Sequence, residues 1–217
     1  MQKDELFREL LLQGVREGVI NAMKKVPRED FVLPEDADKA YCNYPLLLHE
    51  GQTISQPLTV ALMTEWLDVR AGHKVLEVGA GSGYQAAILS VLAGPEGGVV
   101  TCEVRKRLYE FARKNLERYG NVKVVHADGS KGYVERNSLT SSNISKELRS
   151  FADDGKFDRI ILTASAKKMP EALLGHLKEG GMAVLPVGDE MYLVERRNKN
   201  KFLKEMKGYF AFVPLVE

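Results

Sequence analysis

Three glycines alternate with other residues directly after a short apolar stretch. The sequence from Val75 to Tyr84 reads V-L-E-V-G-A-G-S-G-Y, with glycines at positions 79, 81 and 83. Glycine lacks a Cβ and adopts positive φ readily, so such a loop lets a ligand approach the backbone closely. The apolar strand before it and the helix after it fit the start of a βαβ unit. The loop indicates a nucleotide-like ligand, and a glycine-rich turn without a ligand is the alternative.

The charge beside this loop narrows the ligand. A dinucleotide fold favours G-x-G-x-x-G, but here the third glycine comes one residue early and Tyr84 stands in its place. Glu77 would repel a pyrophosphate and attract a cation such as an ammonium or a sulfonium. S-adenosylmethionine carries both, so it is the predicted cofactor. Its predicted contacts here are Glu77, Gly79, Ala80, Gly81, Ser82 and Gly83.

Acidic residues also end the next two predicted strands. Glu103 follows Gly83 by twenty residues, where a carboxylate can accept hydrogen bonds from both ribose hydroxyls. Asp128-Gly129 follows the third strand and is predicted to contact the adenine amino group. A solvated glutamate and an ordinary Asp-Gly turn are the alternatives. Together with the glycine loop, these make three acidic or glycine-containing turns on successive strand ends, which favour a shared cofactor site.

A second candidate segment precedes the glycine loop and reads G-Q-T-I-S-Q-P from Gly51 to Pro57. By frequency alone, Ser55 is an N-cap of the helix that begins at Pro57. A capping oxygen leaves the hydroxyl proton free, and helix N-termini attract anions. The segment is therefore predicted to hold a substrate carboxylate, with substrate contacts at Gln52, Thr53, Ile54 and Ser55.

The spacing of apolar residues changes along the chain and predicts the elements that carry these residues. Helical spacing predicts a helix over 4–25 and another from Pro57 to Asp68, separated by an irregular stretch. Strands and helices then alternate, which predicts a mostly parallel sheet covered on both faces. The predicted segments are strands 73–78, 99–104, 122–126, 157–163 and 182–187, and helices 84–93, 106–119 and one starting near Pro170 and stopping at Glu179-Gly180-Gly181. Strands 191–197 and 202–213 are predicted to form an antiparallel hairpin at the sheet edge.

The predicted fold class is α/β, a Rossmann-like doubly wound sheet with an N-terminal helical extension. One domain is expected over 1–217, with a helical and substrate-loop segment at 1–70, a cofactor-binding core at 71–190 and edge strands at 191–217. The polar run from 137 to 150 is predicted to be a surface insertion.

Composition limits the classes of function. The 217 residues are 44% hydrophobic and carry a formal net charge of +1, which gives no general attraction to nucleic acid. The two cysteines, Cys42 and Cys102, have no disulfide or zinc spacing, and the four histidines show no ligand spacing. No apolar run is long enough to cross a bilayer. We expect a cytoplasmic protein without a metal, a membrane partner or a nucleic-acid partner, and favour a monomer.

At this point the chain resembles a known family, the protein-L-isoaspartate O-methyltransferases. The matching motifs run through most of the sequence, and the G-Q-T-I-S-Q-P segment and F-V-P-L at Phe212 are the most specific. The others are V-P-R-E-D-F-V at Val26, A-Y at Ala40, P-L at Pro45, A-L-M-T-E at Ala61, V-L-E-V-G-A-G-S-G-Y-Q-A-A at Val75, D-G-S at Asp128, T-A-S-A at Thr163 and G-G-M-A-V-L-P-V-G at Gly180.

The resemblance implies methyl transfer from S-adenosylmethionine, leaving S-adenosylhomocysteine, to the free carboxylate of L-isoaspartyl and D-aspartyl residues in damaged proteins. It implies repair through a succinimide, and Ser55 matches the family's active-site serine. The chain departs from the usual pattern at Asn43, His49-Glu50, Ala80 and the long insertion from Val134 to Gly155. Two alternatives stay open: a methyltransferase acting on a small molecule or RNA, and a non-catalytic protein that binds the cofactor.

Overall fold

The computed structural model describes residues 3–133, 155–199 and 201–216. Helices α1 (Lys3–Leu12) and α2 (Glu17–Lys25) lead through two short 3₁₀ turns to a two-stranded hairpin of β1 (Leu46–Leu47) and β2 (Thr53–Ile54). Helix α3 (Pro57–Leu67) follows directly. The predicted insertion at 137–150 lies outside the described residues.

The rest of the chain alternates as predicted. Its elements are β3 (Lys74–Val78), α4 (Tyr84–Ala93), β4 (Gly98–Glu103), α5 (Lys106–Asn115), β5 (Val122–His126), β6 (Phe157–Leu162), α6 (Glu171–Leu174), β7 (Leu177–Val187), β8 (Glu190–Asn198) and β9 (Lys201–Tyr209). Strands β3 to β9 form one sheet in the order β5-β4-β3-β6-β7-β8-β9. The first five in this order are parallel, and β7-β8-β9 are antiparallel. The predicted Rossmann-like class and the edge hairpin are confirmed.

Apolar side chains of the central strands point alternately to two cores. Val75 and Ile161 belong to a cluster with the N-terminal helices and α4, whereas Leu76 and Ile160 belong to a cluster with α6. All four side chains are fully buried. A sheet buried on both faces fixes the strand register, and with it the positions of the loops at the strand ends.

Two predicted elements differ from the structure. The single helix expected over 4–25 is broken, because Gly14 adopts a φ of 85° between α1 and α2. Helix α6 has only four residues and its C-cap is Gly175, so the predicted helix stop at Glu179-Gly180-Gly181 is wrong. Those residues belong to β7, where Phe157 pairs with Leu177 but Arg159 pairs with Met182, so an irregularity absorbs the extra residues.

Smaller differences concern the ends of elements. Helix α5 ends at Asn115 rather than at Tyr119, and the last strand ends at Tyr209 rather than at Val213. None of the helices in the described part of the chain combines the length and apolar character needed to cross a membrane.

Candidate functional site

The glycine loop lies at the point where the sheet topology reverses. From β3 the chain proceeds outward to β4 and β5, and then returns to place β6 on the other side of β3. Open α/β sheets bind ligands beyond the carboxyl ends of their strands at such a switch point. Here Thr163, just after β6, donates its backbone N–H to Val78 O at 3.1 Å and its hydroxyl to Gly79 O. A Cβ on Gly79, whose φ is 100°, would collide with the Thr163 hydroxyl. The absence of a side chain at Gly79 is therefore required.

A cavity that is partly open to solvent lies against this loop. It brings together the predicted residues from three strand ends and from the second segment. These lining residues are Gln52, Thr53, Ile54, Ser55, Glu77, Gly79, Ala80, Gly81, Ser82, Glu103, Asp128 and Gly129.

Gly83 is the predicted cofactor residue that does not line this cavity. Its φ of 89° places it in the left-handed region at the N-cap of α4. A Cβ there would lie 2.7 Å from Leu116 Cδ1, so the glycine lets α4 and the segment after α5 pack closely. Its position next to the loop is explained by packing rather than by ligand contact.

Glu77 is a fully buried carboxyl group at the floor of the cavity. The Thr101 hydroxyl donates to Glu77 Oε2 at 2.5 Å, while Oε1 has no hydrogen-bond partner among the described residues. The pKa of Glu77 is raised to about 8, mainly because the carboxyl group is buried; the hydrogen bond from Thr101 opposes this rise and the nearby Glu103 adds to it. A cation entering the cavity would supply the missing partner and favour the ionised form.

Glu103 is also buried, but its carboxylate is held by backbone donors. Oε2 accepts from Gly81 N–H at 2.9 Å and Oε1 accepts from Arg105 N–H at 3.0 Å. These bonds fix the carboxylate between the glycine loop and the turn after β4. Each oxygen keeps a further lone pair for a hydroxyl donor.

Asp128 and Gly129 form a tight turn after β5. Asp128 Oδ1 accepts from Ser130 N–H at 2.8 Å, an Asx-type turn that leaves the other oxygen available. A Cβ on Gly129 would lie 2.9 Å from Cys102 Cβ and 3.0 Å from Val78 Cγ2. Gly129 therefore brings the turn close to the ends of β3 and β4.

Ser55 borders the same cavity, but it does not cap helix α3. The N-cap is Gln56, which makes no side-chain capping bond, so the predicted N-cap role of Ser55 is wrong. The hydrogen-bond acceptor for the first turn of α3 comes from a distant loop, since Leu58 N–H donates to Asn43 Oδ1 at 3.1 Å. The amide of Asn43 is held in turn by Glu9 Oε1 at 2.7 Å. The Ser55 side chain is thus not engaged in holding the helix end.

A second cavity adjoins the first on the side of the last strand. Thr53, Ser55 and Thr163 line both cavities, and Gln56 and Phe212 line only the second. Residues after β9 form one wall because the chain leaves the sheet and pairs Pro214 with Ser165 in an isolated bridge. Ser55 therefore lies where a molecule in one cavity meets a molecule in the other.

Sequence reasoning missed several lining residues. Leu108 and Thr163 are among them, as are Val213, Pro214, Leu215 and Val216. The F-V-P-L motif at Phe212 is a sequence signal for these last residues, but the apolar pattern places its first two residues in a predicted strand. The lining residue Arg105 was also missed. Its side chain forms an ion pair of 3.2 Å with Glu50, which joins the loop before β2 to the turn after β4.

Comparisons with known proteins agree on one family. The family model described as protein-L-isoaspartate(D-aspartate) O-methyltransferase matches residues 1–141 and 143–217. A protein-L-isoaspartate O-methyltransferase of Methanopyrus kandleri is 47% identical over 91% of this chain and 83% of that protein. One of Ignicoccus hospitalis is 43% identical over 100% of this chain and 98% of that protein.

Solved structures agree in fold. A protein-L-isoaspartate O-methyltransferase structure superposes with a TM-score of 0.81 at 28% identity, covering 100% of this chain and 66% of that one. A Plasmodium falciparum structure, described as a putative protein-L-isoaspartate O-methyltransferase in complex with S-adenosyl-L-homocysteine, gives 0.79 at 24% identity. It covers 98% of this chain and 97% of that one.

Proposed function

The chain belongs to the protein-L-isoaspartate(D-aspartate) O-methyltransferase family, and from this premise we propose how its two cavities carry out the reaction. The enzyme uses S-adenosylmethionine to methylate the free carboxylate of isoaspartyl residues in damaged proteins, which starts their repair. The residues that bind the cofactor and the acceptor are our assignment.

The first cavity is assigned to the cofactor because three of its features fit that molecule. The unpartnered Glu77 Oε1 fits a cationic ammonium group, and the bare backbone at Gly79 leaves room for close approach. Glu103 is fixed by two backbone donors in an orientation that suits a ribose diol. Asp128 is assigned to the adenine amino group. S-adenosylmethionine supplies the methyl group on a sulfonium that leaves as a neutral thioether.

The second cavity is assigned to the isoaspartyl peptide. The observation that carries this assignment is the shared border, since Ser55 lines both cavities and its hydroxyl is not used for capping. A carboxyl group of pKa about 4 is already ionised at neutral pH, so it needs no general base to attack a methyl carbon. Ser55 is proposed to donate a hydrogen bond to one carboxylate oxygen, while Gln52, Thr53 and Ile54 shape the approach.

Positioning is then the main contribution of the protein to the rate. Alignment of the attacking oxygen, the methyl carbon and the sulfur can lower the barrier by about 7–11 kcal/mol in well-oriented systems. One neutral donor orients the carboxylate without holding its charge strongly. The neighbouring peptide nitrogen then attacks the ester carbonyl and releases methanol, which gives a succinimide, and hydrolysis of the succinimide returns part of the material to normal aspartate.

We also propose that the 217 residues act as one methyltransferase domain, as a cytoplasmic monomer without a nucleic-acid partner. The near-neutral charge supports this proposal, as does the lack of a disulfide between Cys42 and Cys102. Light scattering of the purified protein, with and without S-adenosylhomocysteine, tests the oligomeric state.

The test of the reaction is transfer of a radiolabelled methyl group to an isoaspartyl peptide and to its aspartyl counterpart. We expect labelling of the first peptide alone. The variant Ser55→Ala should lower kcat/KM for the peptide by about tenfold, the size of one lost hydrogen bond, and leave the affinity for S-adenosylhomocysteine unchanged. Labelling of RNA, or of both peptides equally, would contradict the proposal.

A further inference from the structure

Arg28 has one of the largest fully buried side chains in the described part of the molecule, and it reaches two loops that border the site. Its Nε donates to Ala40 O at 2.8 Å, and its Nη2 donates to Ser55 O at 2.8 Å. Its guanidinium carbon lies 4.9 Å from the centre of the Tyr84 ring, a cation–π contact. Tyr84 lines the first cavity and follows the glycine loop directly. One side chain thus connects the acceptor segment to the start of α4.

The chemistry of these contacts is unusual for a buried cation. The side chains that act on the Arg28 charge are Tyr84 and Tyr41, with no carboxylate among the described residues, and Arg28 Nη1 has no hydrogen-bond partner there. Burial lowers the pKa of Arg28 to about 10, which still leaves it charged at neutral pH. Burying a charge against neutral carbonyls is costly, so stability alone does not account for the residue.

A planar guanidinium fixes the direction of what it binds. Its donors form a rigid fork, so two carbonyls held by one guanidinium have a defined separation and orientation. Ser55 O is one of them, and the hydroxyl of the same residue lies at the border of the two cavities. Segment Gly51 to Pro57 contains no cation of its own. The cation that contacts this segment is Arg28, which holds its backbone at Ser55 O. Arg28 is not among the residues that line either cavity.

We propose that Arg28 is a positioning residue for methyl transfer, which sets the place of the Ser55 hydroxyl relative to the methyl donor by holding the Ser55 carbonyl and the Tyr84 ring. The inference rests on the proposed role of Ser55 in binding the acceptor. Its consequence is that Arg28 affects the acceptor step far more than cofactor binding, although it touches neither molecule.

The chain offers a matched control in Arg196. This arginine is also buried, and its Nη1 donates to Gly175 O at 3.0 Å and to Leu177 O. It lines neither cavity. Replacing it with lysine removes the same planar fork from a site at β7 and the end of α6 that borders neither cavity.

The experiment compares Arg28→Lys, Arg28→Gln and Arg196→Lys, each alone and combined with Ser55→Ala. Initial rates on an isoaspartyl peptide give kcat and KM, calorimetry gives the affinity for S-adenosylhomocysteine, and thermal unfolding gives Tm. We expect Arg28→Lys to lower kcat/KM for the peptide by about tenfold or more, since misplacing a reacting group by about 1 Å costs up to about a hundredfold. Its affinity for S-adenosylhomocysteine should change less than about threefold, within the loss of a single weak contact.

The combined variants distinguish positioning from folding. If Arg28 acts through Ser55, then Arg28→Lys should cost little in the Ser55→Ala background, and the two effects should be far from additive. Arg196→Lys should lower Tm and leave kcat/KM unchanged in both backgrounds. Additive losses would overturn the proposal, as would loss of S-adenosylhomocysteine binding in both Arg28 variants, because Arg28 would then support the whole fold. Full activity of Ser55→Ala would refute the role of Ser55 itself and, with it, the inference about Arg28. Loss in Ser55→Ala without loss in Arg28→Lys would refute the inference alone.

Discussion

Replacing Glu77 with glutamine should make the cofactor-free enzyme more stable and its cofactor binding weaker. Glu77 is fully buried, and burial raises its pKa from 4.5 to about 8. A carboxyl group with a raised pKa in the folded state stabilises the fold fully below its unfolded pKa, and loses that contribution as the pH rises to the folded value. The carboxyl group of Glu77 therefore destabilises the cofactor-free fold progressively between pH 4.5 and about 8.

The size of the effect follows from this pKa difference. A pH of 7 lies about 2.5 units above the ordinary pKa of this carboxyl group, and each unit corresponds to about 1.4 kcal/mol. Burial of Glu77 therefore lowers the free energy of unfolding of the cofactor-free protein by about 3 kcal/mol at pH 7. Glutamine resembles the neutral carboxyl group in shape, and its amide oxygen can accept the bond from Thr101. For a chain of this length about 1 kcal/mol shifts Tm by about 2–4 °C, so Glu77→Gln should raise Tm at pH 7 by about 6–12 °C.

The assay is thermal unfolding of the cofactor-free wild type and of Glu77→Gln from pH 5 to pH 8. The difference in Tm should be small at pH 5 and should widen with pH, while Glu96→Gln, at an exposed turn, should show none. S-adenosylhomocysteine should bind Glu77→Gln less tightly, and binding to the wild type near pH 7 should release a proton, which calorimetry in buffers of different ionisation enthalpy detects. A Tm difference independent of pH, or equal stabilities at pH 8, would refute the reasoning.

Two further predictions concern the cofactor cavity. Glu103→Gln should weaken S-adenosylhomocysteine binding by about 10- to 100-fold, because hydrogen bonds to a charged group contribute about 1.5–3 kcal/mol each, while kcat at saturating cofactor stays within about threefold. Isothermal titration measures the affinity for S-adenosylhomocysteine, and an affinity equal to that of Glu96→Gln would contradict this prediction. Arg105→Ala removes the half-exposed ion pair with Glu50, whose strength in such a setting is at most about 1 kcal/mol, so S-adenosylhomocysteine should dissociate about two- to fivefold faster. Stopped-flow displacement measures that rate, with Arg107→Ala on the exposed side of α5 as the control, and equal rates in the two variants would show that the ion pair does not restrain the cofactor.

The parts predicted from sequence are those that depend on neighbours along the chain. The apolar strands and the turns after them follow from local periodicity, and a parallel sheet places all their carboxyl ends at one edge. Glu77, Glu103 and Asp128 were therefore assigned to one site without knowledge of side-chain contacts, and the structure brings them to one cavity.

Of the two elements that sequence reasoning got wrong, one depends on a local helix end and the other on a distant strand. Gly14 was included in a helical pattern because the spacing of apolar residues continues across it, and only its φ of 85° separates α1 from α2. Gly180 and Gly181 have the composition of a helix stop, but they lie inside β7, at the irregularity where the pairing of β7 with β6 shifts register. The break at Gly14 is a local helix end, since Val15 N–H donates to Leu10 O at 3.1 Å and a Cβ on Gly14 would meet nothing within 4 Å. At Gly180 and Gly181 the sheet overrides a local preference of a few tenths to about 1 kcal/mol.

The most instructive case is Ser55, for which local statistics and function compete. A serine near the start of a helix usually caps it, a contribution of about 1 kcal/mol, and a capping serine has one lone pair committed to the backbone. In this fold Asn43, fifteen residues before Leu58, supplies the oxygen that accepts from Leu58 N–H at the start of the helix. Arg28, twenty-seven residues before Ser55, holds the carbonyl of Ser55. Because the structural bonds of this turn are made by other residues, the hydroxyl of Ser55 can be oriented by the acceptor alone. At Ser55 the carbonyl is thus held by the fold while the hydroxyl stays available to the methyl acceptor, and only the contacts of the folded chain show this division.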